Sequence, residues 1–135
     1  MNITSAKNFD DICLNDLFLE QVAKTPDAIA IVDHNDGNDE RGTVELTYRE
    51  VDEITDSLAV KLIEDYGVGP DSVVGILLPR CAQYVLAYVA ILKAGGAYMP
   101  LELVYPKPLL ERAVKETNAK VVLTNSLYAN RINDP

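Results

Sequence analysis

The sequence predicts an α/β fold: a β-hairpin and a helix, followed by a βαβαβ unit built on a parallel sheet. Three observations point to it. "VVGILL", 73–78, and "KVVLTN", 120–125, are apolar runs of strand length, as in strands covered on both faces. Between them lie two segments of helical character, separated by the short apolar "AYMPL", 97–101. Ahead of them, "AIAIVD", 28–33, and "TVELTY", 43–48, flank the polar "HNDGNDERG", 34–42, as the arms of an antiparallel hairpin.

Each element has its own signal. Residues 1–13 are expected as a flexible lead-in. A short helix follows, with Asn15 or Asp16 as its cap and Leu17, Phe18 and Val22 on its apolar side. Glu20 and Lys24 form a favourable i,i+4 pair, and Pro26 stops the helix. After the hairpin, "TYRE" is a capping box: the Thr47 hydroxyl accepts from the Glu50 amide, and the Glu50 carboxylate reaches back. Val51, Ile54, Leu58 and Leu62 then fall on one helical face, while Asp52, Glu53, Asp56 and Glu64 lie away from its centre. Gly67 terminates this helix, and "GVGPDS", 67–72, is a turn. Pro79 ends the strand 73–78. From Cys81 to Lys93 runs a helix apolar nearly all round, hence buried. Pro106 and Pro108 open a further helix at roughly 108–117, with Glu111 and Lys115 as its i,i+4 pair. "KVVLTN" is a third buried strand. Residues 127–135 are a polar tail without period, so the folded region is placed at 14–126.

The bulk composition excludes several function classes. A chain of 135 residues is one domain or part of a larger one. Its 48% hydrophobic and 24% charged residues suit a soluble protein with a core of modest size. The net charge of −9 argues against a nucleic-acid binder and is read as serving solubility. The longest apolar run, "YVLAYVAIL", 84–92, is too short to cross a bilayer. The N-terminal "MNITSAKNFDDIC" lacks the basic start and apolar stretch of a secretory leader, so the expected location is the cytoplasm. Cys13 and Cys81 form no CxxC pattern. Pairing between them stays open in principle, and two buried, reduced thiols are the expectation.

"LKAGGAYMPLE", 92–102, raises the question of a phosphate site. Phosphate loops place glycines between a strand and a helix N-terminus, where free amides and the positive dipole end meet the anion. Gly95 and Gly96 instead follow a helix, where the orphan groups are carbonyls, and Lys93 suits such an end as a counter-charge. "KAGG" is therefore read as a helix C-cap. Gly67 and Gly69 precede a strand and fail for the same reason, and neither GxGxxG nor GxxxxGK[ST] occurs. The acidic loop 33–45, read as a solvated hairpin loop, resembles at first sight a calcium loop started at Asp33, with oxygen ligands from Asp33 and Asn35. Gly37 is then fifth rather than sixth, and the twelfth position is Val44 rather than a glutamate. His34, the only histidine, sits in that loop as a surface residue. Cys81 opens a helix, where a thiolate is stabilised, yet its flanks suggest a packed position. Tyr84, Tyr88 and Tyr98 read as core residues with tethered hydroxyls. The carboxylates are scattered, and no acid/base pair stands out.

Two segments carry a family likeness. "LTYREV", 46–51, resembles the first core motif, L-(T/S)-Y-x-E-L, of adenylation domains in the AMP-forming ligase superfamily, most closely those of nonribosomal peptide synthetases. "LKAGGAYMPLE" resembles the second, and "LFLEQVAKTPDAIAIV" ahead of them is typical too. The likeness covers residues 14–126. Departures are Val51 for leucine, Glu102 for aspartate, Leu103 for proline, Leu109 for an arginine, and Cys81 for a capping serine, which weakens that cap.

The resemblance implies the first part of the large N-terminal subdomain of an adenylate-forming ligase. Its motif residues, Leu46, Thr47, Tyr48, Glu50, Leu92, Lys93, Ala94, Gly95, Gly96, Ala97, Tyr98 and Pro100, are then structural. The implied parent activity joins an amino or other carboxylic acid to AMP, with release of pyrophosphate and transfer of the acyl group to a thiol. ATP, magnesium and a phosphopantetheine thiol are implied for that parent, and none of them for this segment. The family's phosphate loop and catalytic lysine have no counterpart in residues 1–135, so no catalytic, cofactor or metal residue is carried over and the isolated chain is expected to be inactive. "SLYANRINDP" ends just short of where that loop would begin, which favours a truncated domain over a stand-alone, non-catalytic interaction module. Implied partners are the remainder of the domain or a downstream carrier domain, with neither nucleic acid nor membrane. Self-association through exposed apolar faces is a further expectation.

Overall fold

A computed structural model describes residues 13–34 and 42–132. The lead-in apart from Cys13, the centre of the acidic loop with its calcium-like spacing, and residues 133–135 lie outside the described residues.

Helix α1 (Leu14–Lys24) starts after Cys13, which makes no side-chain cap. Neither Asn15 nor Asp16 is the cap: both lie within the first turn, where the Asp16 charge suits the helix dipole. Lys24 meets Glu20 at 3.0 Å, as the spacing predicts. Strands β1 (Ile29–Asp33) and β2 (Val44–Thr47) form the expected antiparallel hairpin, with Ile31 opposite Leu46 and an irregularity between Ile29 and Ile31.

Helix α2 (Tyr48–Tyr66) opens on Thr47, whose Oγ1 accepts from the Glu50 amide at 3.2 Å. The Glu50 carboxylate reaches back to the Thr47 hydroxyl, which donates to it at 3.1 Å. The buried face differs from the expected one: it is Val51, Thr55, Ala59 and Leu62, while Ile54 is exposed and Leu58 half-buried. A threonine holds the centre of that face because its hydroxyl donates to the Val51 carbonyl at 2.7 Å, which meets the cost of burying a polar group. Hydrophobicity alone points one residue away. Gly67, at φ 66, closes the helix through its amide on the Ile63 carbonyl.

The parallel sheet contains β3 (Val73–Leu77), β4 (Ala97–Pro100) and β5 (Val121–Thr124) in the order β4–β3–β5. Two helices complete the unit, α3 (Ala82–Lys93) and α4 (Lys107–Thr117). Strand β3 is central, and side-chain alternation sends its residues into two cores. Val74 and Ile76 pack with α2 and α3, and Leu77 packs with Leu101 and with Leu110 of α4. Strand β5 is half-buried rather than buried, since it lies at an edge. In α4, Glu111 pairs with Lys107 at 3.7 Å instead of with Lys115. Asn118, at φ 51, ends that helix.

The described stretch 127–132 is packed rather than free: it makes a 3-10 turn at Ala129–Arg131. Tyr128 and Ile132 pack on the Leu77–Leu101–Leu110 core, and the Arg131 guanidinium donates to the Leu103 and Tyr105 carbonyls. Two apolar anchors and one arginine give no period, so a pattern search passes over them.

Candidate functional site

Lys93 of the second motif reaches the helix that the first motif opens. Lys93 Nζ donates to Asp52 Oδ1 at 2.6 Å, to the Asp52 carbonyl at 3.1 Å and to Asp56 Oδ1 at 2.7 Å. Its side chain is 7% exposed and lies over the Phe18 ring, 5.4 Å from the centroid. Phe18 in turn packs a tilted ring against Tyr48 of the first motif. An ammonium group has three donors, and here each has an acceptor. Lys93 thus ties α3 to α2; as a counter-charge it serves carboxylates of the neighbouring helix, not the carbonyls at its own end.

The diglycine closes α3. Gly95 has φ +82, its amide donates to the Leu92 carbonyl, and the Gly96 amide donates to the Ile91 carbonyl, both at 3.0 Å. This is the paired bonding of a Schellman motif. The Ala94 amide donates to Ala90 and the Ala97 amide to Ser72, so each amide from Ala94 to Ala97 is engaged. None is left for a phosphate oxygen. Leu46 sits in β2, Thr47 and Glu50 form the α2 cap, and Tyr98 and Pro100 lie in β4 opposite Val74 and Ile76.

A groove of about 700 Å³ lies at the C-terminal ends of β3 and β4, against β1. Asp33, Arg80, Cys81, Tyr84, Leu101 and Glu102 line it. Such ends are where open α/β sheets usually take ligands. Sequence reasoning missed one contact here. The Asp33 carboxylate, on the hairpin, accepts from the Ala82 amide at 2.9 Å and so caps α3, whose own N-cap residue Cys81 offers no cap bond. The available signal was Cys81 itself: a helix start without a local cap needs an acceptor from elsewhere. Burial of Tyr84 raises its phenol above the ordinary value; Tyr98 and Glu102 add to the rise and Arg80 opposes it. Tyr84 and Tyr88 pack on the α2–α3 core, but Tyr98, tilted against Tyr88 at 5.6 Å, is exposed rather than buried.

The thiols also differ from expectation: both are free, with Cys13 exposed and Cys81 half-buried. His34 is exposed, with Nδ1 3.5 Å from the Thr43 hydroxyl. Among the described residues no cluster of three His, Cys, Asp or Glu is placed to hold a metal ion. No helix among them is long and apolar enough to cross a membrane. The engaged amides of Ala94–Ala97 therefore do not fit the phosphates of ATP.

A family model described as AMP-binding enzyme matches residues 18–134. The chain belongs to that family. It is 38% identical over 122 residues to zwittermicin A synthase ZmaJ of Bacillus cereus, covering 90% of this chain and 22% of that protein. It is 34% identical over 134 residues to gramicidin S synthase 1 of Brevibacillus brevis, covering 99% of this chain and 11% of that protein. The fold superposes on the nonribosomal peptide synthetase FmoA3 in its alpha-methyl-L-serine-AMP bound form, with a TM-score of 0.79 and 31% identity. That match covers 92% of this chain and 13% of FmoA3. The AMP-binding segment thus spans less than a quarter of these relatives, and its hairpin and parallel sheet are those of an adenylation domain's N-terminal subdomain.

Proposed function

We propose that this segment is the scaffold portion of a cytoplasmic adenylate-forming domain of the peptide-synthetase type. The complete domain would activate an amino or other carboxylic acid with ATP and pass the acyl group to a phosphopantetheine thiol on a carrier domain. Residues 1–135 by themselves do not catalyse that reaction, and the motif residues from Leu46 to Glu50 and from Leu92 to Pro100 act by holding the fold.

The observation that carries this reading is the engagement of each amide from Ala94 to Ala97 by the chain's own carbonyls. Catalysis of acyl-adenylate formation rests on donors and cations aimed at phosphate oxygens. Here the conspicuous glycines and the conspicuous lysine are already satisfied. The AMP-binding family match and the alpha-methyl-L-serine-AMP bound form of FmoA3 support the reaction class.

Two measurements test it. ATP–pyrophosphate exchange on the purified chain with mixed amino acids is expected to stay at background, and exchange above background would overturn the inactivity. Gramicidin S synthase 1 carrying residues 1–135 in place of its matching segment is expected to keep amino-acid-dependent exchange. A folded chimera without exchange would remove the scaffold assignment.

A further inference from the structure

Helix α2 carries an apolar ridge on its free side. Val60, Ile63 and Tyr66 are 51%, 46% and 47% exposed, in the C-terminal half of a helix of 19 residues. They follow one another at i, i+3 and i+6, the spacing of a continuous ridge on a helix surface. The sheet and α3 are packed on the other side, against Ala59 and Leu62. Single exposed apolar residues are ordinary, whereas an ordered row of them marks an interaction surface.

Carboxylates border the ridge. Asp56 and Glu64 stand four residues before and after Val60, and Glu53 stands one turn before Asp56. Like charges one turn apart destabilise a helix. Lys93 relieves Asp56. Among the described residues, no basic group forms a salt bridge with Glu53 or Glu64. Lys61 is the only cation between Val51 and Tyr66, and it pairs with neither. The surface is thus an apolar row with an anionic border.

We propose that this face of α2 docks a cationic amphipathic helix of a partner protein. That helix carries apolar residues at i, i+4 and i+7, which receive the ridge, and lysine or arginine beside them, which meet Glu53, Asp56 and Glu64. A ridge spaced by three packs into grooves spaced by four at about 20° between axes, so the partner helix runs along α2. Charge at the rim of an interface speeds bimolecular encounter, which serves a separate protein rather than a tethered domain. A second copy is the poorer occupant, because α2 laid on α2 sets these carboxylates against their like. The docking goes beyond the scaffold role and does not depend on the reaction.

The probe is a labelled helical peptide of leucine and lysine, its leucines at i, i+4 and i+7, titrated with the full chain by fluorescence anisotropy. It is expected to bind at least about tenfold tighter than a peptide of the same composition with leucines scattered round the helix. Val60→Ser with Ile63→Ser, at exposed positions, is expected to weaken it by at least about tenfold while the circular dichroism stays that of the folded chain. Glu53→Lys with Glu64→Lys is expected to lose the lysine peptide and gain its glutamate counterpart, an exchange that misfolding does not produce. Equal binding of the scattered peptide, unchanged affinity in the serine variant, or no exchange of preference in the lysine variant overturns the proposal. So does a concentration-dependent dimer of the free chain that the serine variant disperses, which makes a second copy the occupant.

Discussion

Gly95 and Gly96 are adjacent but answer different constraints. Gly95 needs its φ of +82, and a Cβ there would meet nothing nearer than 3.9 Å. Gly96 needs space: a Cβ would lie 2.9 Å from Val68 Cγ1 and 3.3 Å from the Ser72 carbonyl. Gly95→Ala is expected to cost about 1 kcal/mol in denaturant unfolding, and Gly95→Asn less, because asparagine tolerates the left-handed region. Gly96→Ala is expected to cost about 1–3 kcal/mol, and Gly96→Asn more, since added volume is the fault. Asparagine better tolerated than alanine at 96 would refute this division. Tyr84 adds a pH dependence. Its phenol is raised in the folded state, chiefly by burial, so folding keeps its proton where the unfolded chain releases it. Its share of stability is intact below about pH 10 and declines as pH climbs through the folded value. Tyr84→Phe should flatten the fall of Tm above about pH 10; an unchanged slope would remove Tyr84 as its source.

At the scale of elements, the hairpin is fastened to the sheet unit by a helix cap. Asp33 ends β1, and its carboxylate satisfies the first amide of α3. Losing an N-cap costs about 1 kcal/mol, so Asp33→Ala should destabilise the chain by that order. Cys81→Ser supplies a local cap, and the double variant should regain most of the loss, giving a coupling that a thermodynamic cycle resolves. Additive effects would show that the Asp33 contact does no capping. This junction also marks where the sequence stopped being legible. The elements themselves were readable because each is specified locally: Thr47 with Glu50, Gly67, Pro106 and the "KAGG" turn each lie within one turn of what they control. The Asp33–Ala82 contact, the Lys93 bonds to Asp52 and Asp56, and the anchoring of Tyr128 and Ile132 join residues far apart in the chain. The Thr55-centred face of α2 was hidden for another reason: its buried hydroxyl is satisfied inside the helix, so polarity misreports burial. Of the candidate site, the glycine polarity was legible from order alone, whereas the groove at the strand ends depends on how the hairpin docks.

At the scale of the molecule, two cores share one strand. Ile76 and Leu77 are adjacent, each 0% exposed, and point to opposite sides of β3. A side chain lost from either core therefore loosens the strand on which the other is built. Leu77→Ala is expected to cost about 2–5 kcal/mol and Ile76→Val about 0.5–1.5 kcal/mol, the former a large part of the 5–15 kcal/mol usual for a domain. If β3 couples the cores, each variant shifts one common transition. Far-ultraviolet dichroism and tyrosine fluorescence should then coincide through the whole denaturation curve in wild type and in both variants. Three of the seven tyrosines pack on the cores, Tyr84 and Tyr88 on the α2–α3 side and Tyr128 on the α4 side. Removing Tyr128 by substitution with phenylalanine leaves a probe weighted to the first core. If Leu77→Ala produced an early transition that this weighted probe did not follow, the α4 side would be melting alone and the shared-strand coupling would be lost.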